Sequence, residues 1–276
     1  MDFFTIIKCC KYNVVRQDFI LPNLLRRKSM QVLDLKNVSL TYFSSNGETK
    51  AIDSISLSAN KGEFISIVGP SGCGKTTILS LISGLLKATS GEINIKSEDN
   101  SSFVGYMFQK DNLFEWRTIR GNIYLGLELL KKKTKENIEY ADNLLKKYNL
   151  WEFKDKYPSQ LSGGMRQRVA LIRTLVLKPS ILLLDEAFSA LDYQTRLNVC
   201  DDVYQIIKQE NLTTILVTHD IGEAISLSDR IIVLSKRPAK IKKIIEVNLN
   251  DLGTPFNRRE SSEAKKYFDI IWRELT

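Results

Sequence analysis

The sequence predicts an α/β fold: a parallel sheet covered by helices on both faces, preceded by a small antiparallel β-subdomain and interrupted by a helical insertion. Three observations carry this expectation. Dense apolar runs, "EFISIVG" (63–69), "SFVGYMF" (102–108), "ILLLD" (181–185) and "TTILVT" (213–218), recur between stretches of helical periodicity. A glycine-rich turn, "GPSGCGKTT" (69–77), follows the first of these runs. Two segments with strict polar and apolar alternation stand ahead of it.

At 276 residues and 43% hydrophobic, the chain can bury the core of one sizeable α/β domain with a smaller subdomain. Its longest apolar runs, such as Ile181–Leu184 and Ile231–Leu234, fall far short of the roughly 18 to 20 residues that cross a bilayer, so it is not expected to span a membrane by itself. Residues 1–30 carry Lys8, Lys11, Arg16, Arg26, Arg27 and Lys28 against Asp2 and Asp18, with apolar pieces too broken for a signal-peptide core. They read as a basic extension, dispensable for the domain of residues 31–276. Cys9, Cys10, Cys73 and Cys200 show no metal-ligand spacing and read as reduced thiols in a cytosol. The net charge of +8 sits at the ends: residues 1–30 hold six basic and two acidic side chains, residues 236–276 hold ten and six, and the stretch between balances at 24 of each. A duplex-binding face should show as a basic excess in the folded core. No nucleic-acid partner is expected, and basic ends suit solubility or an anionic membrane surface.

Taken in order, "VLDLKNVSLTY" (Val32–Tyr42) and "AIDSISLSA" (Ala51–Ala59) alternate and flank "SSNG", which predicts an antiparallel pair, and "GEINI" (91–95) is a candidate third strand. "TTILSLIS" (76–83) opens a helix directly after the glycine-rich turn. From Asp111 to Tyr157 the pattern turns helical: Thr118 caps a helix running towards Leu130, and Lys135–Leu150 carries apolar residues at helical spacing. This gives a helical insertion at about residues 111–165, in which "KKKTKE" (131–136) is a solvated helix end. After Ile231–Leu234, "SKRPAKI" (235–241) turns into another strand and Ser261–Leu275 forms a terminal helix, the two making a C-terminal part of about 236–276.

Strand, glycine-rich turn and helix together are the context a phosphate-binding loop requires, and they define a P-loop NTPase core. In the run Gly69, Pro70, Ser71, Gly72, Cys73, Gly74, Lys75, Thr76, Thr77, the glycines let backbone N–H groups wrap phosphates at a helix N-terminus. Lys75 supplies a point charge to the β/γ oxygens and Thr76 can ligate Mg²⁺. Asp185 ends a buried strand, where a carboxylate can hold Mg²⁺ through its water, and Glu186 beside it can polarise a water for in-line attack on a γ-phosphate. His219 follows "TTILVT" at the edge where parallel strands deliver residues to a ligand, in place for a γ-phosphate contact. Gln109 likewise ends "SFVGYMF"; its amide can touch Mg²⁺ or the attacking water and report occupancy to the insertion that begins just after it. Cys73 reads as a small packing residue.

The stretch "QLSGGMRQRVALIRTL" (160–175) carries no acid, histidine or thiol, yet Ser162, Gly163 and Gly164 make a second anion-binding helix start. One phosphate loop already serves the nucleotide of this chain. A second cradle makes sense if it serves another molecule's nucleotide. "LSGG" ahead of "ILLLDE", with "SALD" (189–192) after it, strongly resembles the ATP-binding cassette (ABC) ATPases over about residues 31–276. The resemblance implies that Tyr42 stacks on adenine, that Gly69–Thr77 are the phosphate loop, Gln109 the Q-loop glutamine, and Leu161, Ser162, Gly163, Gly164 and Met165 the signature. It likewise makes Asp185 and Glu186 the Mg²⁺ and catalytic acids, Asp192 the D-loop aspartate and His219 the switch histidine. The signature ends in Met165 where Gln is common, and Ala187 replaces the proline of a usual "DEP". "NLFEWRTIRGNI" after Gln109, "EAFSALDYQTR" and "LSKRPAKI" resemble the ATPase subunits of nitrate, sulfonate and taurine importers, whose relatives also handle vitamin precursors. The resemblance then implies a homodimer, or a dimer with a second ATPase subunit, around two MgATP. Its partners would be an integral membrane permease received near Trp116 and an external solute-binding protein, with the chain peripheral on the cytoplasmic side of the membrane. An exporter ATPase and a non-transport ABC protein acting on nucleic acid or ribosomes are the rival readings.

Overall fold

A computed structural model describes residues 30–44, 47–96 and 104–276; of the basic extension read in residues 1–30, all but Met30 lies outside the described residues. β1 (Gln31–Ser44) and β2 (Gly47–Asn60) form a long antiparallel hairpin, and β4 (Ser90–Ile95) pairs antiparallel on the other edge of β1. Both hairpin strands run beyond the alternating segments that predict them. Two residues at positive φ, Asn37 and Ser54, lie where the register shifts, so bulges let the ladder continue while its apolar side stays inward.

The second sheet has the order β5-β6-β7-β3-β8-β9, with β3 (Phe64–Val68), β5 (Val104–Met107), β6 (Ile181–Asp185), β7 (Thr213–Val217) and β8 (Arg230–Leu234) parallel and β9 (Ile241–Glu246) antiparallel to β8. The continuous apolar runs follow from burial on both faces. Ile181, Leu183, Ile215 and Val217 pack towards the antiparallel sheet and α1 (Lys75–Ile82), whereas Leu182, Leu184 and Leu216 pack into the cluster that holds the insertion. Alternate residues of one strand thus belong to two different cores.

The insertion contains α2 (Ile119–Leu129) and α3 (Lys135–Lys147), capped by Thr118 and Thr134, whose side chains accept from Gly121 and Asn137 backbone N–H groups. α3 stops three residues before the periodic segment does. Asn149 takes φ 58°, and Leu150 N–H then donates to Leu145 O while Asn149 N–H donates to Lys146 O, a Schellman closure that satisfies the last carbonyls. α4 (Gly163–Leu175) and α5 (Tyr193–Gln209) cover one face of the parallel sheet. α6 (Ile221–Leu227), α7 (Pro255–Arg259) and α8 (Ser262–Leu275) complete the C-terminal side, α8 being capped by Ser261. Cys73 and Cys200 are buried free thiols.

Candidate active site

The carboxyl ends of β3, β5, β6 and β7 converge on one edge, the place where an open parallel sheet receives its ligand. β3 delivers Gly69–Gly74, in which Gly72 (φ 70°) and Gly74 (φ 121°) occupy conformations that L side chains rarely adopt. A Cβ on Gly69 would stand 2.9 Å from Cys73 Sγ, and one on Gly74 2.9 Å from Ile52 Cδ1, so the loop closes tightly on its own buried side. Cys73 is 1% exposed and burial pushes its thiol up, outweighing Lys75 and Arg237; it packs rather than reacts. Lys75 Nζ donates to the Gly69 and Pro70 carbonyls at 2.9 and 3.1 Å. Tyr42, on β1, keeps an exposed ring, and its hydroxyl lies 3.5 Å from Thr77 Oγ1.

Thr76 donates from Oγ1 to Asp185 Oδ1 at 3.0 Å, which joins the start of α1 to the end of β6. The other carboxylate oxygen of Asp185 accepts from the Tyr106 hydroxyl at 2.9 Å; burial and then the Asp185 charge push that phenol well above its usual range. Tyr106 therefore stays protonated and orients the carboxylate. A hydroxyl and a carboxylate are hard oxygen ligands of the kind Mg²⁺ takes. The pair would offer such an ion two oxygen ligands; among the described residues no group of three or more His, Cys, Asp and Glu gathers to hold an ion by itself.

Glu186 sits at φ 48°, a left-handed conformation that costs a non-glycine residue about 1–3 kcal/mol. Its N–H donates to Val217 O at 2.9 Å, which fixes the turn, and its Oε2 lies 3.4 Å from His219 Nδ1. The residues on either side of His219 are bonded: Thr218 Oγ1 donates to the buried Glu223 Oε2 at 2.7 Å and accepts from Asp220 N–H at 3.0 Å. Burial pushes the Glu223 carboxyl up. Gln109 Nε2 donates to Ser189 Oγ at 3.0 Å, and Ser189 donates in turn to Glu186 O at 2.9 Å. Gln109, Glu186 and His219 are thereby one connected group.

The serine and glycines of the second cradle stand apart. Ser162 caps α4, accepting from Met165 N–H at 3.4 Å, and no hydrogen bond or ion pair among the described residues joins Ser162–Met165 to Lys75, Thr76, Asp185 or Glu186. Ser162 and Gly163 are exposed, whereas Gly164 is buried, and a Cβ on it would stand 2.8 Å from Val199 Cγ2 of α5. Gly164 is a glycine for packing as well as for access to the helix start. Leu161 is buried and Met165 packs against the same core. Asp192 caps α5, its side chain accepting from Thr195 N–H at 3.0 Å, a bond that holds its carboxyl below the usual range.

Between Gln109 and α2, Trp116 stands 74% exposed, its ring stacked on Phe114 at 4.8 Å. Asn122, fully buried, holds this loop: its Oδ1 accepts from Phe114 N–H at 2.7 Å and its Nδ2 donates to the Phe114, Arg117 and Thr118 carbonyls, each at 3.1 Å. Arg166 of α4 forks onto Asp111 at 2.7 and 3.1 Å and reaches Glu115 at 2.7 Å. Burial works to raise the Asp111 carboxyl, but Arg166, the Leu113 N–H and Arg173 outweigh it and hold it low. Tyr106, Asn122, Arg166 and Glu223 were not among the residues the sequence singles out for the site. Only the "RGNI" and "MRQR" runs around two of them carry any signal, and neither tells what the side chain touches.

A phosphate loop after a parallel strand, faced by a strand-ending aspartate and a following glutamate, defines a P-loop nucleoside triphosphatase. Within that class the chain belongs to the ABC transporter family, whose model matches residues 52–189. It is 44% identical over 251 residues to the ABC transporter ATP-binding protein YtlC of Bacillus subtilis (strain 168), spanning 89% of this chain and 96% of the relative. The aliphatic sulfonates import ATP-binding protein SsuB of Bacillus anthracis is 39% identical over 233 residues, 83% of this chain and 90% of the relative. The fold superposes on the bacterial ABC transporter cassette MJ0796 with TM-score 0.65 at 32% identity, covering 78% of this chain and 99% of that one. That cassette has been solved as a dimer and in a post-hydrolysis state bound to ADP and Pi. The chain is an ABC ATPase.

Proposed function

We propose that this chain is the ATPase subunit of a bacterial importer, energising uptake of a small solute of the nitrate, sulfonate or taurine kind, or a vitamin precursor, through a separate permease fed by an external binding protein. The observation that carries this reading is the loop that exposes Trp116 while Asn122 and Arg166 lock it to α2 and α4: a rigid aromatic anchor next to Gln109 suits a partner that must sense nucleotide. The similarity to SsuB supports the importer direction and the anionic solute. Among the described residues no helix is long and apolar enough to cross a membrane, in keeping with a peripheral subunit held at the cytoplasmic face by its permease. Nucleic acid has no part in this reading.

In the proposed reaction two copies close head to tail over two ATP. Tyr42 stacks on adenine, a contact of about 1–3 kcal/mol; the Gly69–Thr77 backbone and Lys75 hold the phosphates; Ser162 and the N–H groups at Gly163 and Gly164 of the other copy cover the γ-phosphate. Mg²⁺, held by Thr76 and by Asp185 through water with Gln109 in reach, would offset charge on the β and γ oxygens. Glu186 takes a proton from water as its oxygen attacks the γ-phosphorus and the bond to the β-phosphate oxygen breaks, leaving ADP and phosphate. His219 contacts the γ-phosphate and Asp192 meets the facing copy. Gln109 passes occupancy to the Trp116 loop.

Trp116→Ala tests the coupling. A buried aromatic anchor is worth roughly 2 kcal/mol or more, so association with the permease should weaken about 30-fold while the isolated subunit hydrolyses ATP as before. An equal loss of soluble ATPase activity would make Trp116 a part of the fold. In vesicles carrying the permease, solute should move to the side on which this subunit and its ATP lie; movement to the opposite side would make it an exporter.

A further inference from the structure

The turn between β8 and β9 meets the phosphate loop in a way that the reaction above does not use. Arg237 donates from Nη2 to the Gly72 carbonyl at 2.9 Å. Leu234 Cβ lies 3.1 Å from the point where a Cβ on Gly69 would stand, and Ala239 Cβ lies 3.7 Å from the same point on Gly74. The turn is held at both ends. Ser235 N–H donates to Lys240 O and Lys240 N–H to Ser235 Oγ, each at 2.9 Å. Ala239 N–H donates to Ala51 O at 2.8 Å and Asp53 N–H to Ala239 O at 2.9 Å, which ties the turn to β2, the hairpin partner of the strand that carries Tyr42.

A loop that aims its N–H groups at an anion turns carbonyls outward, and a fixed donor on such a carbonyl holds the loop in that shape, which water at the exposed Gly72 would not do. Lys75 serves the Gly69 and Pro70 carbonyls, but its ammonium is also the group that the phosphates attract, so its hold on the loop competes with nucleotide. Arg237 bonds the loop at the Gly72 carbonyl, from the turn outside the loop. Its guanidinium is always charged, and its side chain is exposed, so its contribution to the packed core is small. Its charge is held against the loop by the bond to the Gly72 carbonyl.

We propose that Arg237 is a positioning residue for nucleotide: through the Gly72 carbonyl it keeps the apex of the phosphate loop in its anion-receiving shape and adds a fixed positive charge behind it. It acts on the affinity for the phosphate chain and leaves the cleavage step alone. Because the same turn is bonded to β2, it also holds the phosphate end of the site in register with the subdomain that bears Tyr42.

The test is steady-state ATP hydrolysis and calorimetric MgADP binding by the full chain and its Arg237→Ala, Arg237→Lys and Arg237→Gln variants. Because the bond is exposed and acts on nucleotide only through the loop, its loss should cost less than a direct charge-assisted contact: the KM for MgATP should rise about fivefold to tenfold with kcat within twofold, and MgADP should weaken by a similar factor. Lys, which keeps the charge, should recover most of the affinity, Gln less. Raising salt should increase the wild-type KM more steeply than that of Arg237→Ala, and the melting temperatures should agree within a degree or two. An unchanged KM and ADP affinity in Arg237→Ala would overturn the proposal. So would a fall in kcat at constant KM, or a loss that Lys does not repair and that comes with a lower melting temperature.

Discussion

Glu186→Gln is expected to bind MgATP nearly as well as the parent chain and to turn it over about a hundredfold to ten-thousandfold more slowly, the range a positioned general base contributes. The amide keeps the shape and the left-handed turn at φ 48° but has no lone pair basic enough to accept the water's proton. Single-turnover hydrolysis with a parallel binding measurement separates the two effects, since a lost base lowers kcat and leaves affinity in place. His219 Nδ1, 3.4 Å from Glu186 Oε2, is the only other proton acceptor held against this carboxylate among the described residues. Near-normal turnover by the Gln variant would therefore move the role to His219, and the double variant would show it.

Lys75→Ala should fail earlier, at nucleotide binding. Losing a charge-assisted contact to phosphate costs about 1.5–3 kcal/mol, roughly 10-fold to 150-fold in affinity, and Lys75 also supplies donors to the Gly69 and Pro70 carbonyls. Calorimetric titration with MgATP and MgADP should show both ligands weakened, because the loop carries the phosphates common to the two. Retained affinity with slow turnover would reassign Lys75 to the chemical step. Arg237 sharpens the comparison: its removal should leave kcat intact, whereas Lys75 bears on binding and, through the β/γ oxygens, on the reacting group as well.

The parts of this fold that the sequence made plain are those governed by local rules. Strands buried on both faces must be continuously apolar, so Ile181–Asp185 and Thr213–Val217 announce themselves, and caps such as Thr118 and Ser261 mark their helix starts. The placement of Lys75, Asp185 and Glu186 at or beyond the ends of their strands was equally legible. What was not legible depends on strand order and on side-chain reach. Tyr106 meets Asp185 only because β5 lies beside β6, two strands that are far apart in the chain, and nothing in "SFVGYMF" reveals that neighbour. Asn122 looks like an ordinary polar residue on a helix; its four bonds to the Trp116 loop exist only after that loop folds back. Arg237 reads as a turn residue, since its partner, Gly72, is 165 positions away. The second glycine of the 160–175 stretch illustrates a motif position serving two needs, for Gly164 opens a helix and also admits Val199.

In the proposed dimer, Ser162, Gly163 and Gly164 of one chain complete the nucleotide site held by Lys75 and Thr76 of another. Within one chain, among the described residues, Ser162 caps its own helix while Lys75 and Thr76 bond to Gly69, Pro70 and Asp185, so the two sets are proposed to meet across facing copies. Complementation between two broken chains separates a shared site from a single-chain one. In a Glu186→Gln background, which preserves bound ATP, a Lys75→Ala homodimer lacks nucleotide at both sites and a Ser162→Arg homodimer carries a bulky clash at both. Mixing them pairs the intact phosphate loop of the Ser162→Arg chain with the intact helix start of the Lys75→Ala chain, giving one sound composite site out of two. Size-exclusion chromatography with MgATP should show a weak heterodimer that neither parent forms alone. A mixture that stays monomeric, while the Glu186→Gln chain itself dimerises under the same conditions, would contradict the shared site and leave Ser162–Gly164 an element of a single chain.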